Sequence, residues 1–212
     1  MLNHSRENRG RTAKLSGSTP KLRSGILVPK LRSGILVPIK FRAARMFIRF
    51  VTTGGTIDKI YFDAISQFEV GDSPVSNILS EGLVSFDYDV VSMFQKDSLE
   101  VTDEDRDELK NFIEKDDATV YVVTHGTDTM VETAAVLSSI PGKTIVLTGS
   151  LSPARFKTTD AVFNIGMAVG AVQSLPPGVY IAMNGQVFAE GDLVKNRSEN
   201  RFEKISAAKP EN

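Results

Sequence analysis

The chain has 212 residues, 41% of them apolar, enough for one domain or at most two small ones with a real core. It has no Cys and two His, which excludes disulfide scaffolds, Cys-ligated zinc, iron–sulfur clusters, thiol nucleophiles and His-rich metal sites. The formal net charge of -1 hides an asymmetry: residues 1–45 hold 11 Lys and Arg against one acid, and residues 46–212 hold 14 against 25.

The basic leader carries a perfect tandem repeat, Lys21 to Pro29 and again Lys30 to Pro38. A Gly and a Pro in each unit break helices, and the apolar stretch between them is three residues long. Such a segment cannot bury enough surface to offset its ordering entropy, so residues 1–45 are expected to be disordered. Three readings are open. A nucleic-acid or anionic-surface arm would use the clustered charge, although no aromatics interleave to stack bases. A transit-type presequence would be Arg-rich but also amphipathic, which the Gly/Pro spacing opposes. The favoured reading is upstream sequence foreign to the fold, with the working protein starting at Met46. No apolar run approaches the ~20 residues of a membrane span, so no membrane partner is expected.

From Met46 onward, β-rich runs alternate with helical patterns. A strand over Phe47–Thr52 meets a Gly-rich turn, a short helix covers Val75–Glu81, and a second strand covers Tyr88–Phe94. Thr102 and Asp105 form a capping box for a helix whose apolar stripe is Leu109, Phe112 and Ile113. A third strand, Thr119–Thr124, leads through His125 into a helix over Met130–Ser139. A fourth strand spans Thr144–Thr148, a small-residue helix Asp160–Gln173, and a fifth strand Val179–Met183 before the Asn184-Gly185 return. Near-continuous apolar strands indicate a parallel sheet covered on both faces. The fold class is therefore α/β, a three-layer α/β/α sandwich with a mostly parallel sheet in a single domain. Residues 46–198 form that domain and 199–212 a polar tail. In such sheets ligands bind beyond the carboxyl ends of the strands.

Two of those ends carry notable chemistry. The first reads Thr52-Thr53-Gly54-Gly55-Thr56-Ile57, where two glycines permit a sharp turn and three hydroxyls surround it. It lacks the Gly-Lys-Ser/Thr of a P-loop and the third glycine of a dinucleotide fingerprint. The third strand ends in Thr124-His125-Gly126-Thr127-Asp128-Thr129-Met130. Thr129 is read as a helix N-cap. His125 is read as structural, because one His makes no triad without a nearby nucleophile.

Together the two motifs resemble the bacterial-type L-asparaginase/glutaminase family. The likeness continues through Leu147-Thr148-Gly149-Ser150, Asp160 with Asn164, Met183-Asn184 and Asp192 with Lys195. The run from Thr56 to Asp63 is similar to the short, one-domain asparaginases; ordinary members carry a second, smaller domain beyond the point where this chain ends. The resemblance implies an amidohydrolase that converts L-asparagine to L-aspartate and ammonia, with some glutaminase activity open. It implies Thr56 as nucleophile with Tyr61, on the following loop, as its activating partner. Thr127, Asp128 and Lys195 match a second cluster, with Lys195 as base once desolvated and Asp128 orienting it. Read alone, Lys195 would be a solvated surface charge. Asp97 and Ser98 match substrate-anchoring positions in the Asp-Ser form of cytoplasmic members. Backbone N–H groups near Gly55 and Thr127 would hold the oxyanion. Whether Thr56 or Thr127 attacks first stays open. The resemblance further implies no metal or organic cofactor, a cytoplasmic location and a homo-oligomer. The rivals are a non-catalytic amino-acid-binding module and nonspecific nucleic-acid contact by residues 1–45.

Overall fold

The structure, a computed structural model, describes residues 46–62 and 67–205, with residues 61, 62, 67 and 68 described by backbone alone. The expectations for the basic leader, including its disorder, lie outside the described residues.

Six strands form the main sheet in the order β4-β1-β5-β6-β7-β8. They are β1 (Phe47–Gly54), β4 (Asp87–Lys96), β5 (Val120–Thr124), β6 (Thr144–Thr148), β7 (Gly178–Met183) and β8 (Gln186–Ala189). All neighbours pair in parallel except β7 with β8, which the Asn184-Gly185 turn joins as an antiparallel hairpin. Both turn residues have positive φ, 47° and 87°, the conformation that a two-residue hairpin demands.

The sheet is buried on both sides because successive residues of its central strands feed different cores. Val51, Tyr121, Val123, Ile145 and Leu147 face one cluster, shared with Leu109 and Ile113 of α2 (Asp103–Lys115) and Ala134 and Leu137 of α3 (Met130–Leu137). Phe50, Val122 and Val146 face the other, shared with Val75 and Leu79 of α1 (Val75–Glu81) and Ile165 and Ala168 of α4 (Ala161–Ser174). The result is the three-layer α/β arrangement that the apolar strands imply. Both halves of the Thr102/Asp105 capping box form at the start of α2, and its acids sit beside the positive end of the helix dipole. Among the described residues no helix is long and apolar enough to cross a membrane.

Four short strands lie outside the main sheet and outside the expected pattern. β2 (Lys59–Phe62) pairs with β3 (Gln67–Val70), and β9 (Leu193–Asn196) pairs with β10 (Arg201–Lys204), each antiparallel. The second hairpin corrects the reading of 199–212 as a polar tail throughout: Phe202 inserts into the core at 5% exposure, so the folded body continues past Ser198. One apolar residue among charges leaves a weak pattern, and that is why the strand escapes notice in the sequence.

Pairing register aligns the carboxyl ends of the sheet. Thr52 stands opposite Thr124, and Thr124 opposite Thr148. The loops after β1, β4, β5 and β6 therefore emerge side by side, where an open α/β sheet places its ligand site.

Candidate active site

The turn after β1 is built on two glycines with φ of +96° and +86°. A Cβ on Gly54 would come within 2.5 Å of the Lys96 backbone nitrogen, and one on Gly55 within 2.5 Å of the Gly126 Cα. The backbone of this turn is thus wedged between the end of β4 and the loop after β5, an approach only glycine allows. Gly126 repeats the device, since a Cβ there would lie 2.5 Å from the Ser98 Cβ. Three loops pack closely, backbone on backbone at Gly54 and Gly55 and backbone on the Ser98 side chain at Gly126, and they bring Thr56, Ser98 and Thr127 into one neighbourhood.

Gly55 differs in one detail from its expected part in the oxyanion site. Its N–H donates to the Lys96 carbonyl at 2.9 Å, so Gly55 supplies close approach rather than a donor to a ligand. The backbone N–H groups of Thr56 and Thr127 donate to no protein acceptor among the described residues.

Thr56 opens a 3-10 turn, Thr56–Asp58, and is half-buried. Tyr61 falls on β2 rather than a loop, its backbone paired with that of Phe68. A side-chain contact between Tyr61 and Thr56 lies outside what is described. Asp58 closes the turn, 2% exposed. Burial pushes its carboxyl up to about 7, opposed by the Ser73 hydroxyl, the Gly54 amide and the Arg155 charge.

Lys195, on β9, donates to the Thr127 hydroxyl at 3.2 Å and to the Asn200 side-chain carbonyl at 2.9 Å. Its ammonium also stands 4.9 Å from the centre of the Phe202 ring. Burial lowers the Lys195 pKa; the charge of Asp128 opposes this and that of Arg197 adds to it. Asp128 acts on the lysine through space, while its carboxylate accepts from the Ser98 hydroxyl at 3.4 Å. The residue that orients Lys195 by hydrogen bond is therefore Asn200, where the sequence suggests Asp128. Asn200 has φ of 47°, the left-handed conformation that Asn tolerates at a hairpin turn. β9 has two adjacent apolar residues and β10 has one, so no alternation marks the hairpin or its Asn in the sequence.

Asp97 and Ser98 begin the 3-10 turn after β4. The Asp97 carboxylate accepts from the Leu99 N–H at 3.3 Å and pairs with the Lys59 ammonium at 2.6 Å. Burial acts to raise its pKa, but the Lys59 and Leu99 hydrogen bonds and the Lys59 charge hold it below the ordinary value. Lys59 is a charged contact that sequence reasoning overlooked, because nothing in local spacing links positions 59 and 97.

Thr129 occupies the N-cap position of α3 but makes no capping bond; its hydroxyl donates to the Ser98 carbonyl at 2.6 Å. That bond fastens the loop after β5 to the loop after β4. His125 is buried, with Nδ1 2.8 Å from the Gly126 carbonyl and Nε2 2.9 Å from the Thr133 hydroxyl. Burial lowers its pKa to about 4, with the Gly126 carbonyl opposing and the Arg106 charge assisting. A neutral ring that donates at Nδ1 and accepts at Nε2 satisfies both contacts, as a structural histidine should.

The fourth loop is held by Asp160. Its carboxylate accepts from the N–H groups of Leu151 and Ser152 and from the side-chain amides of Asn164 and Asn184. Farther along this loop, the Ala154 N–H donates to the Ile57 carbonyl at 3.2 Å, which ties it to the Thr56 turn. Among the described residues no group of three His, Asp or Glu is arranged to hold a metal ion.

Three comparisons bear on this arrangement. A family model described as Asparaginase, N-terminal, matches residues 47–209. A glutaminase-asparaginase of Pseudomonas aeruginosa is 31% identical over 159 residues, covering 68% of this chain and 44% of that protein. The thermostable L-asparaginase of Thermococcus kodakarensis superposes with a TM-score of 0.66 at 27% identity, over 76% of this chain and 51% of that one. A probable cytoplasmic L-asparaginase of Campylobacter jejuni superposes with a TM-score of 0.65 at 27% identity, over 76% and 53% respectively. The chain spans about half the length of these relatives.

Proposed function

This chain belongs to the asparaginase family, and from that premise we propose that it is an amidohydrolase releasing ammonia from L-asparagine. The observation that carries the reading is the stacking of the Thr56 turn on the Thr127 loop, with Lys195 donating to Thr127.

In this reading the Thr56 hydroxyl oxygen attacks the side-chain amide carbon as its proton passes to a neighbouring base. The new C–O bond turns the carbonyl oxygen into an oxyanion, which the N–H groups of Thr56 and Thr127, without an acceptor among the described residues, would stabilise. The amide nitrogen takes up a proton, the C–N bond breaks and ammonia departs. A water then attacks the ester carbon from the Thr127 side, losing a proton toward Lys195; the ester C–O bond breaks, aspartate leaves, and that proton returns to the Thr56 oxygen to restore its hydroxyl. A lysine serves as base only when neutral, and its burial favours the neutral form. Asp97 anchors the substrate's α-ammonium, with Ser98 beside it. Tyr61 is retained as the activating partner of Thr56.

Asparagine is proposed over glutamine as the preferred amide, by likeness to the family. A cytoplasmic location and a homo-oligomer are part of the proposal; the Campylobacter jejuni neighbour is described as probably cytoplasmic. The test is ammonia release by the full chain from both amides, repeated with Thr56→Ala. Release that disappears in Thr56→Ala while the melting temperature holds supports the reading. A folded, active Thr56→Ala protein removes Thr56 from its role. Asparagine that raises the melting temperature without any ammonia would instead indicate an amino-acid-binding module.

A further inference from the structure

Asp97 is the partly exposed carboxylate beside Ser98 and the Thr127 loop, and it is not empty-handed. Its Oδ1 accepts from the Leu99 N–H at 3.3 Å and lies 3.5 Å from the Ser98 hydroxyl. Its Oδ2 has one partner among the described residues, the Lys59 ammonium at 2.6 Å. Lys59 in turn pairs with no other acid among those residues. Its side chain is 28% exposed and that of Asp97 32%, so water and small solutes reach the pair.

Lys59 also sits where such a contact is reversible. It is the first residue of β2, in a two-stranded sheet separate from the main one. The backbone there is tied down by the Gly71 N–H on the Asp58 carbonyl, so freeing Asp97 takes only rotation about the lysine's flexible side chain. A primary ammonium on a carboxylate is the same chemical pair that an α-amino acid would form at this place.

We propose that the Lys59 ammonium is a built-in occupant of the Asp97 ammonium subsite, which an α-amino substrate must displace to bind. The proposal rests on the reading of Asp97 as the anchor of the substrate's α-ammonium. Lys59 is then a specificity residue. It raises the concentration of amino acid needed for saturation and disfavours weak ammonium ligands that make no further contacts. A partly exposed ion pair is weak enough for a substrate with additional contacts to break it. Its occupancy lowers apparent affinity by the fraction of time that the subsite is free.

The experiment compares wild type, Lys59→Met and Lys59→Arg on two amides, L-asparagine and succinamate, which lacks the α-ammonium. Expected for Lys59→Met is a fall of about threefold in KM for asparagine, a smaller change in kcat, and no fall for succinamate. Lys59→Arg keeps a cation on Asp97 and should retain the wild-type KM. An unchanged or raised KM for asparagine in Lys59→Met overturns the proposal, and so does an equal fall for both amides. Calorimetric Kd for asparagine in Thr56→Ala, with and without Lys59→Met, reads the same competition without turnover. Wild type that binds asparagine but releases no ammonia would sink the enzyme reading alone. Absence of asparagine binding in both Thr56→Ala and its Lys59→Met derivative would sink the subsite and the proposal together.

Discussion

The Lys195 ammonium donates to the Thr127 hydroxyl across 3.2 Å, joining the β9–β10 hairpin to the loop after β5. If this lysine works as a base, the neutral form is the active one. Burial lowers its pKa below the ordinary 10.5, so ammonia release should rise with pH and level off earlier than an exposed lysine would allow. Lys195→Arg keeps the charge but cannot surrender its proton, and kcat should fall by about a hundredfold or more. A Lys195→Arg enzyme with the wild-type pH profile would remove the lysine from proton transfer.

Two buried titrating groups pull stability in opposite directions. Burial raises Asp58 to about 7 from 3.8, so its contribution is full below 3.8 and is lost as pH climbs to about 7. Burial lowers His125 to about 4 from 6.5, so its contribution is full above 6.5 and is lost as pH falls to about 4. Each swing is on the order of 3–4 kcal/mol, and between about pH 4 and 6.5 the slopes oppose. Asp58→Asn leaves the histidine slope alone, so unfolding free energy from urea titrations should climb with pH across that window. A flat Asp58→Asn profile would contradict this.

Glycines of the site and of α4 should respond with opposite signs to the same substitution. Gly55 has φ of +86° and abuts Gly126, so Gly55→Ala should cost about 2 kcal/mol or more and disrupt activity. Gly166 lies within α4, where an added Cβ would meet open space, so Gly166→Ala should stabilise by about 0.5–1 kcal/mol. Thermal unfolding of both variants checks the pair. Equal effects would mean the close approach at Gly55 is not a constraint.

Phe202 anchors the hairpin that delivers Lys195, and its ring also lies under the ammonium. Phe202→Ala should lower kcat more steeply than it lowers the melting temperature, because the hairpin lies outside the main sheet. A loss of stability by about 3 kcal/mol or more with kcat intact would place Phe202 in the core alone.

The main sheet and its helices were legible because burial imprints a period. Tyr121-Val122-Val123 and Ile145-Val146-Leu147 read as strands covered twice, and Leu109 with Ile113 as a helix face, and each is buried accordingly. The small hairpins left no comparable imprint. β10 buries Phe202 between Arg201 and Glu203, and one apolar residue makes no period. The turn holding Thr56 was readable from its double glycine. Its partners were not: Lys59 meets Asp97, and Asn200 replaces Asp128 as the group holding Lys195, through contacts that only the folded path creates. The same holds for Thr129, whose hydroxyl leaves the cap position for the Ser98 carbonyl.

The close approach of the Gly55 backbone to that of Gly126, and of Gly126 to the Ser98 side chain, has a consequence for how such a site tolerates drift. The distance between the Thr56 turn and the Thr127 loop is fixed by main chain alone, without a rotamer that could compensate. A saturation-mutagenesis map of this chain should therefore show narrow, intolerant columns at 54, 55 and 126. The side chains around them can exchange more freely, so substrate preference can wander while the reacting groups keep their spacing.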